Sequence, residues 1–230
     1  MDIPFLQKFE RLGTKMDYGV MMKQLCGGML VSAEIFFLTL LFSLPLGLLL
    51  AFARMSKIKP VSVLAKLYIS IMRGTPLMLQ LFVVYFGPWY LFKLQIPNYR
   101  LPAVIIGFFL NYAAYFAEIY RSGIEAIPVG QYEACKVLGY TKAQTFMRVI
   151  LPQVIKRILP PVTNETITLV KDTSLAFVLA VTEMFTLAKQ IAAANTSMVP
   201  FVAAGIFYYI FNLLVAGVMA KIEKKLSYYR

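Results

Sequence analysis

Not one histidine occurs in the 230 residues of this chain. The commonest metal ligand, the axial residue of most haem sites and the usual neutral-pH base go with it, which argues against a metalloenzyme, a membrane cytochrome and base-assisted hydrolysis. Cysteine is almost missing as well. Cys26 and Cys135 fall on opposite sides of the membrane under the topology below, so no bridge between them is expected. Charge is scarce: 15% of residues, against the ~25% of an ordinary soluble domain, while 60% are hydrophobic. That balance describes a membrane protein. No Gly-x-x-x-x-Gly-Lys-Ser/Thr run appears, so ATP hydrolysis belongs to some other chain. No cofactor or metal is expected. The first residues also lack the charged, apolar, small-residue layout of a cleavable signal peptide. Asp2, Lys8, Glu10, Arg11, Lys15 and Asp17 interrupt any apolar run there, and a short interfacial helix outside the first span is expected over residues 1–20.

What the chain does have is apolar length. A first span is predicted over 28–53, since at ~1.5 Å per residue it exceeds a hydrocarbon core of ~30 Å. Pro45 and Gly47 inside it predict a kink, and Glu34 lies near its outer end. The link 54–60 carries Arg54, Lys57 and Lys59 with no acid, which marks the cytoplasmic side. The run 61–90 is broken by Arg73-Gly74-Thr75-Pro76. Because a residue before proline is pushed out of helical angles, either one kinked span or an interfacial elbow followed by a span fits. Trp89 and Tyr90 supply an outer aromatic belt, and Pro88, Pro97 and Asn98 mark an external loop. A third span covers 101–120, Pro160 and Pro161 open a fourth, a polar external segment with a short helix fills 183–197, and a fifth span covers 199–220 before the basic tail. The net charge of +12 sits mostly at the cytoplasmic ends of these runs. Anionic lipid headgroups explain that placement, and no nucleic-acid partner is expected. The prediction is an all-α integral membrane bundle of five transmembrane helices, N-terminus outside and C-terminus cytoplasmic. Its divisions are an external segment 1–27, the spans 28–226 and a tail 227–230.

Polar residues inside spans are costly enough to ask what keeps them there. Asn111, Tyr115 and Glu118 share one helical face, facing either a water-filled path or a neighbouring helix that they glue in place. For Glu118, close to Arg121, glue is favoured. Asn164, Thr168 and Lys171 share another face, with Glu165, Thr168 and Asp172 on an overlapping one. These charges are expected to pair with each other or with a charged solute. Arg73, near hydrocarbon, must snorkel or pair.

Between the third and fourth spans lies a charged insert, 121–152, with Gly130-Gln131-Tyr132-Glu133-Ala134-Cys135 at its centre. Pro128 suits a helix start and Gly139 a left-handed helix end, so a short helix is predicted over 129–138. Thr141 and Gln144 form a capping box for a second short helix, which Pro152 is expected to stop. Small Ala134 and Cys135 allow another backbone to approach, which is the design of a docking knob. A solvated connecting loop is the plain alternative.

The pattern Glu133-Ala134-Cys135, Gly139, then Val149 and Leu151-Pro152, resembles the EAA signature of the membrane subunits of bacterial ABC importers. Cys135 stands where the second Ala is expected, and Val149 replaces an Ile. Arg73-Gly74-Thr75-Pro76 with Gln80, Tyr115 to Ile119, Gly130-Gln131 and Lys171-Asp172-Thr173-Ser174-Leu175 are similar to the polar-amino-acid branch of that family. The resemblance covers about residues 28–226. It implies a type I ABC importer permease in a bacterial inner membrane, with Gly130, Gln131, Glu133, Ala134, Cys135 and Gly139 coupling to a separate cytoplasmic ABC ATPase dimer. It also implies a second permease copy, identical or paralogous, and an extracytoplasmic solute-binding protein. A zwitterionic amino acid needs both charge signs along its path, for which Asn164, Glu165 and Thr168 are the leading candidates, followed by Asn111, Tyr115 and Lys171. Two other classes stay open: an ion-gradient-driven carrier, which gives no reason for the 121–152 insert, and a non-transport assembly subunit, which needs no charged lining.

Overall fold

The computed structural model describes residues 17–226, and every regular element among them is helical. The first, α1, spans Tyr18–Arg54. Asp17 caps it, its carboxylate accepting from the amides of Gly19 and Val20 at 2.8 and 3.2 Å. The helix thus begins well before the expected start at Gly28 and runs uninterrupted through Pro45. Its 37 residues span about 55 Å, more than a ~30 Å core admits even at a tilt of about 40°. Part of α1 therefore stands clear of the hydrocarbon. The interfacial helix expected over residues 1–20, and the tail 227–230, lie almost wholly outside the described residues.

The broken second run resolves into α2, Lys59–Gly74, and α3, Leu77–Phe92, whose axes bend by 113°. The bend is sharp, a corner between two helices and not a gentle kink in one. Thr75 is extended (φ −120°, ψ 148°), as the residue before Pro76 should be. Next comes α4, Arg100–Glu125, one turn longer than expected because Arg121 pairs with Glu118 at 2.7 Å and with Glu125. Glu118 also receives Arg54 of α1 at 3.0 Å. Here the gluing role holds.

After α4 come α5, Val129–Val137, the single turn α6, Lys142–Gln144, a π-helical turn, Thr145–Ile150, and α7, Leu151–Asp172. The rod from Lys142 continues without interruption through a 3-10 stretch, Thr173–Leu179. Two expectations are corrected. Pro152 does not stop a helix, and Pro160 and Pro161 lie inside one instead of opening it. The reason at Pro152 is the turn before it: Leu151 donates to the carbonyl of Phe146, five residues back, so the ladder has already widened where proline has no N–H to give. A 59° bend then leads to α8, Met184–Asn195, and finally α9, Val199–Leu226.

Three helices, α1, α4 and α9, are long and apolar enough to cross a membrane, and the two bent pairs bring the count to five when each is one span. Helix α4 is the central post: 56% of its most apolar stretch is buried, against 6% for peripheral α9. The main core joins Ile35 and Phe36 of α1, Leu81 of α3, Phe108, Tyr112 and Phe116 of α4, and Leu169 and Val170 of α7. Towards the Arg54 end, α1 and α4 meet through small residues. A Cβ on Gly47 would lie 2.8 Å from that of Phe116 and 3.1 Å from the Ala113 carbonyl oxygen, so only glycine lets the two backbones approach this closely.

Candidate functional site

The insert folds as the local chemistry dictates. Pro128 sits at the start of α5, and at its end Gly139 takes φ +77°. There Tyr140 donates to the Cys135 carbonyl (3.0 Å) and Gly139 to that of Lys136 (3.1 Å), which completes a Schellman end. Both bonds of the capping box are made: Gln144 N–H to Thr141 Oγ1 at 3.2 Å, and Thr141 N–H to Gln144 Oε1 at 2.9 Å. Of the residues predicted to couple, Gly130, Gln131, Glu133, Ala134 and Gly139 are exposed. Cys135 is not. At 3% exposure it is the one buried residue of α5, turned into the chain's own packing, so it supports the knob from behind and presents nothing to a partner. Sequence reasoning missed the apolar face beside it. Val137 is 88% exposed and Leu138 72%, and Val129 and Met147 elsewhere in the insert are exposed too. In a polar insert, exposed apolar side chains of this kind are candidates for a partner's contact surface.

A second group forms where the α2–α3 elbow meets α4 and α7. The buried amide of Asn111 donates to the Met72 carbonyl (3.0 Å) and to Gln80 Oε1 (2.9 Å). Gln80 in turn donates to the Met72 and Thr75 carbonyls and to Thr75 Oγ1, and the Thr75 hydroxyl donates to the Ile71 carbonyl. The backbone groups freed by Pro76 are thereby satisfied. Asn111 is committed to holding the elbow. Arg73 at its tip lies over the ring of Tyr115, 5.3 Å from the centroid, a cation–π contact that keeps the guanidinium beside α4.

On α7, Asp172 accepts from the Tyr112 hydroxyl at 2.7 Å. Glu165 lies within electrostatic reach of Asp172 and Arg73, and Lys171 within reach of Asp172. Of the two expected pairings, the one within the cluster is not formed. All ion pairs among the described residues involve Glu118 or Glu125, so no direct ion pair neutralises the 164–172 cluster. Asn164 and Lys171 are exposed, and Glu165 and Thr168 partly buried. The elbow and α7 thus bring Arg73 and Asp172 within electrostatic reach of Glu165 beside Tyr112 and Tyr115 of α4, with Lys171 next to Asp172. An organic zwitterion could be held by both its charges there.

One structural acid escaped the sequence reading. Glu183, expected in a polar external segment, is fully buried at the start of α8. Its carboxylate accepts from the Phe185 and Thr186 amides, both at 2.7 Å, from the Thr186 hydroxyl at 2.9 Å and from the Tyr208 hydroxyl of α9 at 3.1 Å, with the Ser32 hydroxyl of α1 at 3.5 Å. It ties three helices together. Glu183→Ala removes the cap and leaves these buried donors unpaired, with an expected loss of about 2–4 kcal/mol. A thermal melt in detergent reads that loss, and Glu183→Gln, which keeps an acceptor, should recover part of it. An unchanged melt for the alanine variant would show that the cap contributes no stability.

Residues 43–228 match the family model described as binding-protein-dependent transport system inner membrane component. The L-cystine transport system permease protein TcyB of Bacillus subtilis (strain 168) is 38% identical over 208 residues, which is 89% of this chain and 87% of that protein. The arginine transport system permease protein ArtQ of the same organism is 36% identical over 201 residues, 87% of this chain and 91% of its own length. Among solved structures, the crystal structure of an amino acid ABC transporter with histidines superposes with a TM-score of 0.81 at 30% identity, over 98% of this chain and 100% of that one.

Proposed function

We infer the role of this chain from one premise: it belongs to the family of binding-protein-dependent transport system inner membrane components. It is a multi-pass inner-membrane permease subunit of an ATP-driven amino acid importer. It does not hydrolyse ATP; a separate ATPase chain does so, and a substrate-binding protein delivers the cargo. The ion-gradient carrier and the assembly subunit are set aside by this membership.

The cargo is a polar amino acid, a reading supported by relatives named for cystine, arginine and glutamine transport. Its ammonium group meets Glu165 or Asp172, its carboxylate meets Lys171 or Arg73, and Asn164, Thr168 and Tyr115 supply polar contacts. Asn111 contributes by holding the elbow. The N-terminus lies outside and the C-terminus inside, consistent with the cations of the 54–60 link and of the end of α9. Two permease copies enclose the path above an ATPase dimer, which docks on α5 through Glu133, Ala134 and the exposed apolar surface at Val137 and Leu138. Gly130 and Gln131 line the same knob, and Gly139 shapes its end.

The observation that carries the reading is this exposed knob with an uncovered apolar face, joined by one short turn to the helical rod that carries the charges of α7. Reconstituted with its ATPase and binding protein in liposomes, the chain should accumulate a polar amino acid only when ATP is supplied. Uptake driven by a proton or sodium gradient without the ATPase would sink this assignment.

A further inference from the structure

Beneath the knob lies a cavity of about 940 Å³, bounded by the π turn, the first two turns of α7, Gln131 of α5 and Leu226 at the end of α9. Its lining combines two kinds of group. Arg148, Lys156 and Arg157 supply positive charge, Gln153 an amide, and Ile155 and Leu226 apolar wall. Among the described residues Arg157 spends one N–H on the Ala126 carbonyl, while Arg148 and Lys156 enter no ion pair. No carboxylate lines the cavity. Three cations around one concavity repel each other unless an anion joins them.

We propose that this cavity binds the headgroup of an anionic phospholipid, with its phosphate between Arg148 and Lys156 and the upper part of its acyl chains along Ile155 and Leu226. The lining favours lipid as occupant: positive side chains and apolar wall stand side by side, which suits a molecule that presents phosphate and hydrocarbon together. The inference rests on the cytoplasmic placement of α5 proposed above.

The test uses the complete permease–ATPase complex, as wild type, as the Arg148→Gln, Lys156→Gln double variant, and as Lys57→Gln, a cation remote from the cavity. Native mass spectrometry counts retained phosphatidylglycerol. ATP-dependent uptake is measured in phosphatidylcholine vesicles with and without phosphatidylglycerol. Wild type and Lys57→Gln should retain the lipid and transport several-fold faster with it. The double variant should bind it about 30-fold more weakly and lose the stimulation. Equal retention and stimulation in the double variant overturns the proposal. So does abolition of the stimulation by millimolar inorganic phosphate, which would make the cavity a free-anion site, or loss of the ATPase from the double variant, which would make it a docking contact. Failure of the underlying transport reading shows differently, as absence of ATP-dependent uptake by wild type in every vesicle.

Discussion

Replacing Val137 and Leu138 together by aspartate is expected to release the ATPase from the purified complex and abolish ATP-driven uptake, while the permease itself folds normally. The two side chains are 88% and 72% exposed, so a charge at either position costs the isolated chain little. In a covered interface the same charges would be buried without partners. Even at ~2 kcal/mol each, in the range for a polar group denied its hydrogen bonds, the pair weakens docking by about 1000-fold. Co-purification on a tagged permease reads the loss directly, and the detergent melt of the permease alone serves as the folding control. If the ATPase remains attached and uptake persists, the apolar face of α5 is not where the motor grips. Gly139 belongs to the same account, because a β-branched residue at φ +77° would deform the end of the knob without touching that face.

The second large effect is expected at Glu165. This half-buried carboxylate accepts no hydrogen bond among the described residues and lies within reach of Asp172 and Arg73. Glu165→Gln preserves shape and removes charge, so the fold should be unaffected. Loss of one partner from a desolvated charge pair costs about 2–5 kcal/mol, which predicts at least a ~30-fold fall in uptake at low substrate. ATPase attachment should be unchanged, and Asn164→Ala should lower uptake in the same direction by less. Unaltered low-substrate uptake in both variants would place the pocket elsewhere, and an equal drop in thermal stability would assign Glu165 a structural role.

What could be read from the sequence is what is local. Pro128, Gly139 and the Thr141–Gln144 pair act over four residues or fewer, and each forms as expected. The break at Thr75-Pro76 was equally visible, but its angle was not, because the elbow is set by Asn111, which lies 39 and 31 positions from its two acceptors. Pro152 misled for a related reason. The cost of proline in a helix depends on where the ladder bonds before it already fall, and a π turn has no composition of its own. Glu183 looked like a loop acid because Ser32 and Tyr208, which bury it, are 151 and 25 residues away. Val137, Leu138 and Cys135 form the clearest case: all three are apolar by type, and nothing in their order tells which faces a partner and which faces home.

The rod from Lys142 to Leu179 has one further implication. It is on the order of 55 Å long and joins the foot of the knob to Asp172 with no loop between. Under the transport reading proposed above, a shove delivered at its lower end reaches the charged cluster along one unbroken helical path. The compliance that such a machine requires must then reside at its bends, the Thr75-Pro76 corner and the stretch 180–183, where Ala180 sits at φ +53°. Those two corners flank the charged group, so under the same reading they are the parts whose swing would open or shut it.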